Sequence, residues 1–262
     1  MTRLHYDAQG NGPVLLVIPG GAGHPMGLAA MTERLADHFT VVTYDPLGLA
    51  HGQLGMPVGE QRVEAWSEGA RRVLDEVLPD GESAYVFGAS SGGIAALDLL
   101  ARHPGRLRHV VAHEAPVVEV LPDAARQRAM FTDVYETYRR AGLKAAGARL
   151  VAGLEETDPA PAEGHPPSAE EELTTPMALF LTRVLCPFSS YMPDLPALKS
   201  PSLTLAAGIG SRGGLLHRTA SLTAELTGGH FTEFPGGHIG ALEHPQEFAA
   251  RLIEALREPA GR

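Results

Sequence analysis

Ala84-Tyr85-Val86-Phe87 runs into Gly88-Ala89-Ser90-Ser91-Gly92, and Gly93-Ile94-Ala95-Ala96-Leu97-Asp98-Leu99-Leu100 runs out of it. A short β-prone apolar run, a Gly-x-Ser-x-Gly turn and a longer apolar run read as strand, sharp turn and helix. The two glycines let the backbone turn tightly enough to hold Ser90 in a strained conformation, its oxygen above the C-terminal edge of a sheet. Ser90 is therefore the candidate nucleophile. The helix behind it aims unpaired N–H groups, Ser91 first, and its positive dipole end at the place where negative charge would develop. Five residues alone also describe a Gly/Ser-rich loop; the flanking strand and helix favour the catalytic reading.

Outward from the elbow, short apolar strands alternate with amphipathic helices, the pattern of a parallel sheet covered on both faces. Strands are expected at Val14–Ile18, Thr40–Tyr44, Ala84–Phe87, His109–Ala112, Ser202–Ala206 and His230–Phe234, with helices at Gly27–Asp37, Glu60–Leu78 and Ser91–His103. Trp66, Ala70, Val73, Leu74 and Val77 share one helical face, so the single tryptophan is expected in the core. After Pro116 the composition changes. Asp123–Arg140 is a charged amphipathic helix, Asp158–Pro167 is Pro-rich, and Glu170–Leu185 is again helical. Residues 117–194 are thus expected to form a helical insertion on an α/β core of residues 1–116 and 195–262.

A chain of 262 residues with 44% hydrophobic residues can bury a large core without staples. A net charge of −10 disfavours nucleic acids and anionic membrane surfaces, so a small-molecule substrate is the expected partner; oligomeric state is left open. Met1-Thr2-Arg3-Leu4-His5-Tyr6-Asp7 has no charged-then-apolar leader design and no apolar run is long enough to span a bilayer, so a cytoplasmic location is expected. Cys186 is the single cysteine; it cannot form an internal disulfide and is read as packing, and no metal or organic cofactor is expected.

A serine hydroxyl needs a general base. Of the twelve histidines, His238 in Phe234-Pro235-Gly236-Gly237-His238-Ile239-Gly240 follows the last strand on a glycine-hinged loop, from which it can fall back over the sheet edge. Taken together, Ile18-Pro19-Gly20-Gly21, Tyr44-Asp45-Pro46-Leu47-Gly48, the elbow, the insertion and Gly236-Gly237-His238 resemble the lid-bearing serine esterases and lactonases of the α/β-hydrolase superfamily over nearly the whole length. The resemblance implies an α/β-hydrolase fold with a helical lid, residues 117–194. It also implies a triad acid, which commonly stands in a Gly-x-x-Asp segment after the strand before the histidine loop. Here Ala207-Gly208-Ile209-Gly210-Ser211-Arg212 holds no carboxylate. A second arrangement, similar to that of haloalkane dehalogenases, puts the acid at the end of the strand after the elbow helix. Glu114, 24 residues beyond Ser90 in Val110-Val111-Ala112-His113-Glu114-Ala115-Pro116, occupies that position and is the expected acid; the alternative is a solvated or salt-bridged strand-end glutamate.

By the same resemblance the oxyanion hole would use the N–H groups of Ser91 and Gly21, with Ala22 the neighbouring possibility. Asp45 is read as a turn cap. Candidate substrate-binding residues are His24, Met26, Met130, Phe131, Tyr135, Phe180 and Tyr191, with His113 also placed to line the pocket. The expected reaction is cleavage of an ester, lactone or thioester of an apolar substrate through an acyl-enzyme. The rival readings are a cyclase, acyltransferase or C–C bond-cleaving enzyme with the same triad, and a non-catalytic ligand-binding receptor.

Overall fold

Alternate side chains of the central strands face opposite cores, as period-2 geometry requires of a sheet buried on both faces. Leu16 and Ile18 join one apolar cluster with Val86 and Val110, while Leu15 and Val17 join another with Phe87 and Val111. The computed structural model describes residues 4–23, 28–158, 161 and 163–257. Its seven strands are β1 (Tyr6–Gln9), β2 (Val14–Ile18), β3 (Thr40–Tyr44), β4 (Ala84–Ala89), β5 (Leu107–His113), β6 (Leu203–Gly208) and β7 (His230–Phe234). They lie in the order β1-β3-β2-β4-β5-β6-β7; β1 is antiparallel to β3 and every other pairing is parallel. The six expected strands are all present. The sequence reading missed β1 because Tyr-Asp-Ala-Gln, at an exposed edge, has no apolar run.

Helices α1 (Ala29–Leu35), α2 (Val63–Val77) and α3 (Ser91–Arg102) connect the first strands. Between β5 and β6 stand α4 (Ala124–Leu154), α5 (Ala169–Thr174), α6 (Pro176–Leu179) and α7 (Leu185–Ser189); α8 (Leu215–Thr227), α9 (Gly240–Glu243) and α10 (Pro245–Arg257) complete the chain. Apolar faces of α2, α3 and α8 pack on one side of the sheet, those of α1 and α10 on the other. Trp66 is buried, stacked edge-on against Phe188 with its N–H on Gln61 Oε1 at 3.0 Å. The Asp45 carboxylate caps its turn through the N–H groups of Leu49 (3.2 Å) and Ala50 (2.9 Å).

The expected helix 123–140 continues to Leu154, but it is not straight. Gly142 has φ 78° and ψ −174°, which separates limbs 124–141 and 143–154. A straight helix of that length would be about 45 Å long, yet Asp123 and Glu156, just outside its two ends, both bind Arg218 of α8, at 2.7 and 2.6 Å. Asp133 pairs with Arg149, and Met130 packs on Gly153, so the limbs form an antiparallel hairpin folding at Gly142. Phe131, Val134, Tyr138 and Leu181 form a third apolar cluster within this insertion.

Buried Asp98 on α3 joins three elements, accepting from Ser67 of α2 and from the Tyr191 hydroxyl at 2.6 Å. Replacing Asp98 with Ala strands the Tyr191 hydroxyl and leaves Ser67 only its long bond to the Glu64 carbonyl, 3.5 Å, and at about 1–3 kcal/mol per orphaned buried group the expected loss is about 2–3 kcal/mol in urea unfolding. Adding Tyr191→Phe to that variant should recover about 1 kcal/mol, because the orphaned hydroxyl is then gone.

Candidate active site

Parallel pairing brings the C-terminal ends of β2, β4, β5 and β6 to one edge: Ile18 lies opposite Gly88, Ala89 opposite His113, and His113 opposite Ala206. The residue after each strand end therefore emerges beside its neighbours, the place where open parallel sheets hold ligands. Ser90 follows β4 with φ 53° and ψ −122°, a strained backbone for a residue with a Cβ, and its N–H is held by the His113 carbonyl at 2.9 Å. At Gly92 a Cβ would overlap the carbonyl oxygens of Ile18 and Pro19. Its absence lets the start of α3 rest on the β2 exit, so Gly20 and Gly21 stand beside Ser90.

Glu114 directly follows β5, also with positive φ (47°), and its side chain is fully buried. Its N–H donates to the Ala206 carbonyl at 2.8 Å, extending the β5–β6 ladder by one residue and turning the carboxylate toward β6. Oε1 accepts the Gly208 N–H at 2.8 Å, and Oε2 lies 2.8 Å from His238 Nδ1. The segment that holds no carboxylate in the sequence thus supplies a backbone donor instead, with the Ser211 hydroxyl placed to favour the charged carboxylate. Burial works against the Glu114 charge; the His238 hydrogen bond, the two nearby imidazoles and Ser211 outweigh it and hold the carboxyl at about 2 rather than 4.5.

His238 arrives on the loop after β7. That loop crosses the β6 exit so closely that a Cβ on Gly208 would stand 2.6 Å from the Gly237 Cα, and Gly210 N–H binds the Gly236 carbonyl at 2.7 Å. A carboxylate only accepts, so the proton of a neutral His238 sits on Nδ1 and Nε2 keeps a lone pair. Ser90 and His238 line one cavity with Pro19, Gly20, Gly21, Ser91 and His113, and the insertion closes it with Phe131, Leu150, Leu154, Met177, Phe180, Leu185 and Phe188. A hydroxyl and an imidazole that share a cavity, the imidazole backed by a buried carboxylate, are the groups that passing a proton from oxygen to nitrogen requires.

Of the candidate substrate-binding residues, Phe131 and Phe180 line the cavity. Three others do not. Met130 is spent inside the α4 hairpin against Gly153, Tyr135 is half-buried outside the cavity, and Tyr191 is tied to Asp98 on α3. The second α4 limb takes the expected place of the first two, through Leu150 and Leu154, which periodicity placed in no helix. His24 and Met26 lie outside the described residues. His113 lines the cavity with its Nε2 buried and unpartnered; burial pushes its imidazole down to about 4, so it is neutral at pH 7. Among the described residues no group of three or more His, Cys, Asp or Glu is placed to hold a metal ion, and no helix is long and apolar enough to cross a membrane.

Against known proteins, the family model of the α/β-hydrolase fold matches residues 13–177. The chain belongs to the α/β-hydrolase family. It is 31% identical over 263 residues to YraK, an uncharacterized hydrolase of Bacillus subtilis, covering 98% of this chain and 93% of that one. It is 25% identical over 269 residues to zearalenone hydrolase of Bionectria ochroleuca, with coverage of 97% and 94%. Among solved structures, a thermophilic esterase of Thermogutta terrifontis shares the fold with a TM-score of 0.69 at 17% identity, covering 97% and 93% of the two chains.

Two buried groups give this α/β-hydrolase an acid-sensitive stability. The lowered His113 value means that stability is intact above pH 6.5 and falls as pH drops toward 4; the lowered Glu114 value adds stability above about 4.5 that is lost as pH falls toward 2. In urea unfolding at stepped pH, the Glu114 part should amount to about 2 kcal/mol by pH 3 and be missing from a Glu114→Gln variant. Equal slopes for both proteins below pH 4.5 would show that the carboxylate is not held in this way.

Proposed function

We propose that this α/β-hydrolase is a serine hydrolase that cleaves an ester, lactone or thioester of a small to medium, largely apolar substrate through an acyl-enzyme. The observation that carries the reading is the 2.8 Å contact of buried Glu114 with His238 Nδ1, in the cavity that His238 shares with Ser90. Ser90 Oγ attacks the carbonyl carbon while His238 Nε2 takes its proton, and Glu114 stabilises the resulting imidazolium. The carbonyl oxygen gains negative charge and is received by the N–H of Ser91, the first of the unpaired donors of α3, and by that of Gly21. His238 returns the proton to the leaving alcohol or thiol, which in a lactone stays attached to the acyl group. Water activated by His238 then attacks the acyl-enzyme, releasing the acid and restoring Ser90.

The apolar lining supports an apolar acyl or alcohol portion, and the two relatives matched over nearly their whole length are named as hydrolases. Residues 117–194 act as a lid in this reading, since their side chains close the cavity over Ser90.

Replacing Ser90 with Ala should lower kcat/KM on p-nitrophenyl esters by at least about a thousandfold with the fold intact. A variant keeping more than about a tenth of the activity, a loss below about 1.4 kcal/mol, would exclude Ser90 as nucleophile. Glu114→Gln should cost about 10²–10⁴ in kcat with little change in KM, because geometry survives and the charge does not. For the lid, amide exchange in α4 and α7 should slow once a phosphonate is attached to Ser90; unchanged protection counts against a closing lid.

A further inference from the structure

We infer that Phe180 is a positioning residue that holds the Pro19–Gly21 loop in place and thereby aims the Gly21 N–H at the substrate carbonyl oxygen. The inference rests on the serine-hydrolase reading above. Its basis is the contact at Gly21. A Cβ built there would stand 2.5 Å from Cε2 of the Phe180 ring and closer still to Cδ2, with Ser91 Oγ next at 3.1 Å. The ring occupies the space where any other residue would carry its side chain, so ring and loop backbone are in direct contact. Gly21 is buried although it has no side chain to bury, and the ring is part of what covers it.

Phe180 is itself held from both sides. It packs against the sheet cluster that contains Trp66 and Phe188 and against the insertion cluster that contains Phe131 and Leu185. It also opens the π-helical turn Phe180–Val184, an irregularity that redirects side chains and frees backbone carbonyls. Here the Arg183 carbonyl accepts the Gln61 N–H at 2.9 Å, and the side chain of Gln61 accepts from Trp66 at 3.0 Å. The turn is thus fastened to the core at the point where it presents the ring to Gly21. Donors that stabilise a developing oxyanion work because they are fixed before the charge appears, and a looser donor forfeits part of that advantage. In this fold one donor, Ser91, is fixed by α3. The other is fixed by a side chain of the insertion.

The test measures kcat and KM on p-nitrophenyl acetate, whose acyl group is too short to need the ring as a wall. Phe180→Ala should lower kcat about 10- to 100-fold and leave KM within about threefold, below the 10²–10³ expected for complete loss of an oxyanion donor. Phe180→Leu should recover most of that loss. Gly21→Ala alone should be at least as damaging as Phe180→Ala, because the methyl group displaces the ring. The double variant Gly21→Ala/Phe180→Ala should then be no worse than Gly21→Ala alone, since the two changes disturb one contact. If the losses multiply, or if Phe180→Ala raises KM with kcat unchanged, the ring is only a wall and the inference falls. Should Phe180→Ala fail to fold by circular dichroism, the same cycle run with Phe180→Leu decides the matter. Wild-type protein that is neither active nor labelled at Ser90 by a phosphonate overturns the serine-hydrolase reading and this inference with it; an active wild type with multiplying losses overturns this inference alone.

Discussion

A carboxylate with no exposed surface is tolerable only where hydrogen bonds replace the water it has lost, and the site depends on how Glu114 meets that condition. Its partners come from two other segments. The β6 exit gives the Gly208 N–H and Ser211, and the loop after β7 gives His238. Each is within reach only because β5, β6 and β7 run parallel and in register, so that their ends and the loops leaving them crowd one edge. The glycines at 208 and 236–237 then allow the two loops to cross at backbone contact. Shifting any of these pairings would leave a buried charge without compensation, which costs far more than a lost surface contact.

Under the proposed function, the same economy accounts for an acid away from its commoner position. Moving the carboxylate from the β6 exit to the β5 exit leaves the β6 exit with backbone donors and a serine, the groups a neighbouring carboxylate requires. In the proposed chemistry Glu114 orients the imidazole from the β5 exit, at 2.8 Å from its Nδ1. The positive φ of Ser90 and of Glu114 belongs to this arrangement: each side chain leaves its strand by a sharp turn that an ordinary extended backbone would not give.

The insertion contributes more than cover. Its α4 hairpin is pinned where Asp123 and Glu156 converge on Arg218, and its far end is tied to α3 by Tyr191 and Asp98. Between these anchors it brings Leu150, Leu154 and Phe180 to the cavity, so part of the apolar wall and the contact on Gly21 belong to the insertion, while Phe87, Leu216 and Leu242 of the core supply other parts of the wall. Buried threonines on α8, at 219, 223 and 227, donate back to carbonyls within their own helix, so no hydroxyl is stranded where the helix packs on the sheet.

By itself the sequence determined what short-range chemistry encodes. The alternating apolar runs, the Gly-Ala-Ser-Ser-Gly turn and the amphipathic face around Trp66 each carry their own periodicity, and a mostly parallel sheet follows from alternation, whereas the order of its strands does not. The roles proposed for Ser90 and His238 were read from the offset of each from a strand, and that of Glu114 from a resemblance, since the next strand end lacks a carboxylate. Other features carry no local signal. Met130, Tyr135 and Tyr191 look like pocket residues to any pattern of hydrophobicity, yet the hairpin at Gly142 turns Met130 onto Gly153, and Asp98 captures Tyr191. Leu150 and Leu154 reach the cavity only because that hairpin doubles back. The approach of Phe180 to Gly21 joins residues far apart in the chain. Periodicity tells a residue to leave water, but an apolar side chain gains nearly as much in the insertion core as in the cavity wall; the packing of whole elements makes the choice.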